Sequence, residues 1–133
     1  MSEVFTFGVK AEQNTTMINI TKEVQNIVRD SGIKQGICIV FIPHTTAAIT
    51  INENADSNVM RDFLMEINKI IPMSDGYHHI KNSAAHVKSS LMGFSETIII
   101  EDGRLLLGTW QGVYFMEFDG PRIRKVQVKI MEG

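Results

Sequence analysis

Apolar and polar positions alternate from Val4 to Lys10, with Phe5, Phe7 and Val9 set against Thr6 and Gly8, and this spacing predicts a half-buried strand. Met17 to Ile20 predicts a second, short strand. Thr21 then suits the N-cap of a helix whose Val24, Ile27 and Val28 share one face and whose end is set by Gly32. Gly36 to Ile42 is an unbroken apolar run stopped by Pro43, as expected of a central strand buried on both faces, and Ala47 to Asn52 reads as its partner. Asp56 suits the N-cap of a second helix, along which Val59, Met60, Phe63, Leu64, Ile67, Ile70 and Ile71 keep helical spacing until Pro72. A third helix is predicted over Ala84 to Met92, capped by Ser83, stopped by Gly93 and burying Val87 and Leu91.

The last third is β. Thr97 to Ile100 and Leu105 to Leu107 flank Asp102-Gly103, a pair that favours a type I′ hairpin. Val113 to Phe118 and Ile123 to Ile130 flank a second turn, Asp119-Gly120-Pro121. Tight turns between many strands, with no regular βαβ alternation, predict an α+β fold, predominantly an antiparallel β-sandwich with two to three helices, in one domain over residues 1–133.

Composition narrows the class. The 133 residues are 44% hydrophobic and 21% charged with net charge −2, ordinary for a globular domain and no case for nucleic acid or an anionic membrane. Arg122, Arg124, Lys125 and Lys129 read as a solvated basic face. Cys38 lies alone in an apolar run and reads as a buried thiol of a reducing compartment. No secretory leader pattern is present and no apolar stretch approaches the roughly 20 residues of a membrane span, so the expectation is a cytoplasmic protein.

Three stretches carry side chains that folding alone leaves unexplained. The first runs from His44 to Asp56, "HTTAAITINENAD". Within it Asn54 suits a turn and Asp56 a cap, while Glu53 is a candidate acid/base or ligand. Calcium is excluded, because the loop's sixth position is Ser57 rather than glycine and its twelfth is Phe63 rather than glutamate. The second holds His78, His79 and His86. No zinc signature brackets them, and they read either as surface histidines or, with His44, as imidazoles available to a ligand. The third is "GTWQG", where Gly108 and Gly112 bracket Trp110, either a filled corner of the core or a flat wall for a ring.

Together "HTTAAITINENAD", "AHVKSSLMG" and "DGRLLLGTWQGVYFMEFDGPR" resemble the YjbQ family, over essentially the whole chain. That resemblance implies a β-rich sandwich assembled as a homotrimer, with polar pockets near subunit boundaries. It implies that His44, His79 and His86 converge as a metal or anion site holding a divalent ion, zinc or magnesium. The chain departs from the family between His79 and His86, where "IKNSAA" replaces acidic residues that would orient the imidazoles.

The family's association with secondary thiamine-phosphate synthase implies a transferase that joins a pyrimidine-methyl pyrophosphate to a thiazole phosphate. In that reading His44, His86 and Glu53 are catalytic. Lys88 and Arg104 add positive charge, Trp110 stacks on the pyrimidine, and Asn54, Asp56 and Gln111 complete the substrate-binding set. A metal-dependent hydrolase of a small phosphate or acyl compound is the alternative, and a non-catalytic trimer that captures a phosphorylated metabolite is the third reading.

Overall fold

In chain order, the elements of the computed structural model, which describes residues 3–133, are β1 (Val4–Ala11), β2 (Thr16–Asn19), α1 (Thr21–Ser31), β3 (Gln35–Phe41), β4 (Ala47–Glu53), α2 (Ser57–Ile70), α3 (Ser83–Met92), β5 (Ser95–Glu101), β6 (Arg104–Leu105), β7 (Gln111–Glu117) and β8 (Arg122–Glu132). All pairings are antiparallel. One sheet has the order β1-β8-β3-β5-β6 and the other the order β2-β7-β4. The fold is an α+β sandwich dominated by antiparallel strands.

Alternation decides which side chains meet between the sheets. Cys38 and Val40 of β3, Ile98 and Ile100 of β5, and Val126, Val128 and Ile130 of β8 face Ile49, Val113 and Phe115 across the main core. Burial pushes the Cys38 thiol pKa up to about 12, so it is inert at neutral pH. Val24 and Val28 of α1 close one end of this core, and each fully buried side chain of that size contributes roughly 1.5–3 kcal/mol. The other face of the smaller sheet is also covered. Ala48, Met116 and Phe118 pack against Ala85 of α3 and Phe63 of α2, so β7 is buried from Gly112 to Glu117.

Helix starts differ in detail from expectation. Thr21 is the first residue of α1 rather than its cap; Asn19 Oδ1 takes the Thr21 N–H at 3.0 Å, and Thr21 Oγ1 receives the Val113 N–H at 2.8 Å, docking the helix on β7. Asp56 does cap α2, accepting from the Asn58 N–H at 2.9 Å, and Gly32 ends α1 with a φ of 74°. Asn82, not Ser83, holds the N-cap position of α3.

The inward face of α3 is also not the expected one. Ala84, Ala85, Lys88 and Ser89 are buried, whereas Val87 and Leu91 are exposed. Small residues let the helix approach β4 closely, and Ser89 Oγ donates to the Ala47 carbonyl at 2.8 Å. The Asp102-Gly103 turn has φ of 52° and 75°, as a type I′ turn requires, but β6 extends only over Arg104–Leu105. Among the described residues no helix is long and apolar enough to cross a membrane.

Candidate functional site

β3 pairs with β8 only as far as the Phe41–Gln127 register, and Pro43 then takes the chain away from the sheet. The next strand donor on that side, the Lys125 N–H, has no strand to accept it. His44 replaces the missing strand: its Nε2 accepts that N–H at 2.9 Å. Burial, with the Arg124 guanidinium nearby, holds the His44 pKa below the ordinary 6.5. A neutral ring that accepts at Nε2 carries its proton on Nδ1, so His44 offers a donor rather than a lone pair.

An open cleft of about 610 Å³ lies around it, with Thr45, Asn82, His86, Arg122 and Arg124 among its polar lining. Arg124 is only 3% exposed. Its Nε donates to Glu117 Oε1 at 2.7 Å, and its Nη2 donates to Glu117 Oε2 at 2.5 Å and Thr46 Oγ1 at 2.7 Å. The pairing is bidentate and Glu117 is fully buried, so the carboxylate neutralises and orients the guanidinium. Nη1 carries no protein hydrogen bond among the described residues, and no buried side-chain nitrogen or oxygen there lacks a partner. Nη1 is therefore reachable at the cleft.

A second network ties the start of α3 to the β7–β8 turn. Asn82 Nδ2 donates to Asp119 Oδ2 at 2.9 Å, which leaves Asn82 Oδ1 to face His79 Nε2 at 2.7 Å. Arg122 holds Asp119 from the other side through Nη2 at 2.8 Å. The amide oxygen accepts, so His79 Nε2 is the protonated nitrogen. The acidic partner missing between His79 and His86 is supplied from outside that segment, by Asp119 acting through Asn82. The His86 ring lies edge-on to His79 with centroids 5.7 Å apart, and neither of its nitrogens has a hydrogen bond among the described residues.

The other expected site residues lie elsewhere. β4 carries the chain from Ala47 beside the cleft to Glu53, six steps and about 20 Å away. At that far end Asn54 donates to the Gln111 carbonyl at 3.2 Å, its own N–H reaches the Trp110 carbonyl at 2.8 Å, and Gln111 Oε1 accepts from the Gly108 N–H at 2.7 Å. Asn54, Asp56 and Gln111 thus have local folding tasks. Gly112 is needed because a Cβ there would lie 2.8 Å from that of Asn54. Trp110 is 62% exposed on this far end, neither a core corner nor a wall of the cleft. Arg104 pairs with Glu101, at the opposite end of β5 from the cleft. Lys88 is fully buried, its Nζ donating to Asn68 Oδ1 at 2.6 Å and lying 5.8 Å above the Phe118 ring, so it cannot meet a substrate.

Three histidines sharing one divalent ion do not fit this arrangement. His44 Nε2 is engaged by Lys125, and among the described residues no three His, Cys, Asp or Glu side chains are grouped to hold a metal. His79 and His86 remain as a pair.

The chain matches the family model described as "UPF0047 protein YjbQ-like" over residues 5–133. It belongs to the YjbQ family. Similar YjbQ-family proteins include a UPF0047 protein of Methanocaldococcus jannaschii, 46% identical over 129 residues that cover 96% of this chain and 94% of the relative. UPF0047 protein YugU of Bacillus subtilis is 47% identical over 128 residues, 95% and 97% of the two chains. Among solved structures, an uncharacterized conserved protein of the family from Clostridium acetobutylicum is 53% identical with a TM-score of 0.94, covering 96% of this chain and 99% of that one. A protein of unknown function from Sulfolobus solfataricus reaches a TM-score of 0.95 at 34% identity, covering 100% and 99%.

Sequence reading missed Arg124, Glu117, Asn82 and Asp119. The signal for Arg124 was present: it lies in phase with Val126, Val128 and Ile130, the inward set of β8.

Proposed function

We propose that the cleft binds the phosphoryl or pyrophosphoryl end of a small phosphorylated metabolite, and that the reaction it serves is a transfer of the thiamine-phosphate synthase type. The observation that carries this reading is His44, a neutral imidazole whose Nε2 is occupied by a backbone N–H, which leaves Nδ1–H as its free donor, and which lines a cleft shared with two guanidiniums. Donors fixed before a ligand arrives stabilise developing negative charge without reorganisation. In the transfer, the thiazole nitrogen forms a bond to the pyrimidine methylene carbon as the carbon–oxygen bond to pyrophosphate breaks, and both electrons of that bond leave on pyrophosphate. Arg122, Arg124 and the His44 Nδ1–H would hold that leaving group, and His86 would exchange a proton with it.

The cleft lining contains no carboxylate, and Glu53 is at the other end of the chain's own β4. That arrangement favours capture without turnover as a second reading. It also gives a homotrimer a task, since a neighbouring copy is the available source of the Glu53 end. Met131, Ile37 and Ile99 stand in one row across the uncovered face of the larger sheet, suited to such an assembly.

Calorimetry with pyrophosphate, followed by assay of pyrophosphate release from the pyrimidine and thiazole substrates, tests both readings. Binding that is lost in His44→Gln, with turnover that is lost in His86→Ala, supports the transferase. Stoichiometric binding with no release supports capture. No affinity for pyrophosphate overturns the anion site.

A further inference from the structure

The same cleft has an apolar end. Phe41 and Phe94 meet edge to face with centroids 5.8 Å apart and an interplanar angle of 75°, and both line the cleft that holds His44 and Arg122. Neither is buried: Phe94 is 60% exposed and Phe41 38%. Exposed aromatic rings on a floppy loop would carry no message, but the Phe94 backbone is pinned. Its carbonyl accepts from the Ile42 N–H at 2.7 Å, and the neighbouring Gly93 carbonyl accepts from the Ile49 N–H at 3.2 Å. Gly93 has a φ of 95°, a turn open to glycine, which delivers Phe94 to the rim of the cleft. Phe41 is the last residue of β3 and points out of the sheet between Gln127 and Ser95. A rigid backbone therefore holds two rings in the open beside a set of fixed anion donors.

From this we infer that Phe94 with Phe41 forms the subsite that meets the ring of the phosphorylated ligand. The inference rests on the proposed reading of the cleft as the site of a ring-bearing phosphorylated metabolite and names the residues that meet the ring. It moves ring recognition from Trp110 to the other end of the molecule. Aromatic pairing adds modestly to simple burial, so the expected gain in affinity from the ring is about three- to tenfold.

The test compares methyl phosphate with benzyl phosphate by titration of the full chain, followed by amide chemical shifts. Benzyl phosphate should bind about three- to tenfold tighter. Phe94→Ala should remove that advantage while leaving methyl phosphate within about twofold, because Phe94 touches only the ring. Phe41→Leu serves as a second variant that keeps apolar bulk. Equal affinities in the unaltered chain would overturn the ring subsite and leave the anion site standing. No binding of either ester would overturn both. A ring advantage that survives both substitutions would place the ring elsewhere and overturn the assignment. So would a change of oligomeric state in Phe94→Ala by light scattering, since the rings would then be a contact between copies.

Discussion

His44 is held neutral by its surroundings, and the consequence for stability has a definite sign. Its folded pKa lies below 6.5, so on acidification the unfolded chain takes up a proton that the folded ring refuses. Stability contributed by neutral His44 is fully present above pH 6.5 and is lost as pH falls through the lower, folded value. Urea denaturation between pH 7.5 and 5 should show this decline, and His44→Gln should flatten it. Ring nitrogen chemical shifts should assign the His44 proton to Nδ1 and the His79 proton to Nε2. Asn82→Leu should remove the preference at His79, because it removes the acceptor that sets it. Lys88 is a buried ammonium whose pKa burial also lowers and whose only hydrogen bond among the described residues is to Asn68. Lys88→Met should leave phosphate affinity unchanged and keep the melting temperature or raise it, since the cost of burying charge disappears.

The elements that were legible in the chain are those whose burial follows a single period. β5 and β8 alternate as a sheet with one covered face demands, whereas the unbroken apolar run of β3, read as buried on both faces, buries only Cys38 and Val40 and leaves Ile37, Ile39 and Phe41 toward the uncovered face. α3 was misread because its inward face is built from alanines, a serine and a lysine, residues that no hydrophobic count would select. The solvated basic face expected of β8 holds for Lys125, but not for Arg124, which the strand turns inward onto Glu117. Breaking that pair should be expensive: Arg124→Met leaves an unpaired buried carboxylate and should cost about 3–5 kcal/mol by denaturant titration. Replacing Glu117 by Leu as well should recover part of the loss. Gly36→Ala should be still harder to accommodate, because the added Cβ would lie 2.1 Å from the Met131 carbonyl oxygen where β3 and β8 pair.

At the scale of the whole molecule, the motifs that mark the family divide between two ends. "HTT" and His86 gather at the cleft, while "NEN" and "TWQ" build a joint between β4 and β7 about 20 Å away. Sequence proximity could not separate these roles, because a strand links its two ends through adjacent residues while holding them apart in space. If the outer row of Met131, Ile37 and Ile99 seats another copy, Ile99→Lys should shift light scattering toward a single chain without lowering the stability of the inner core. The way the larger sheet ends has a further consequence. Its hydrogen-bond ladder is completed at Lys125 by a titratable side chain rather than by backbone. The Lys125 amide should therefore act as a built-in proton counter in deuterium exchange: protected like a strand interior while His44 is neutral, and opened selectively once the ring takes a second proton, with Val126 and Val128 still closed.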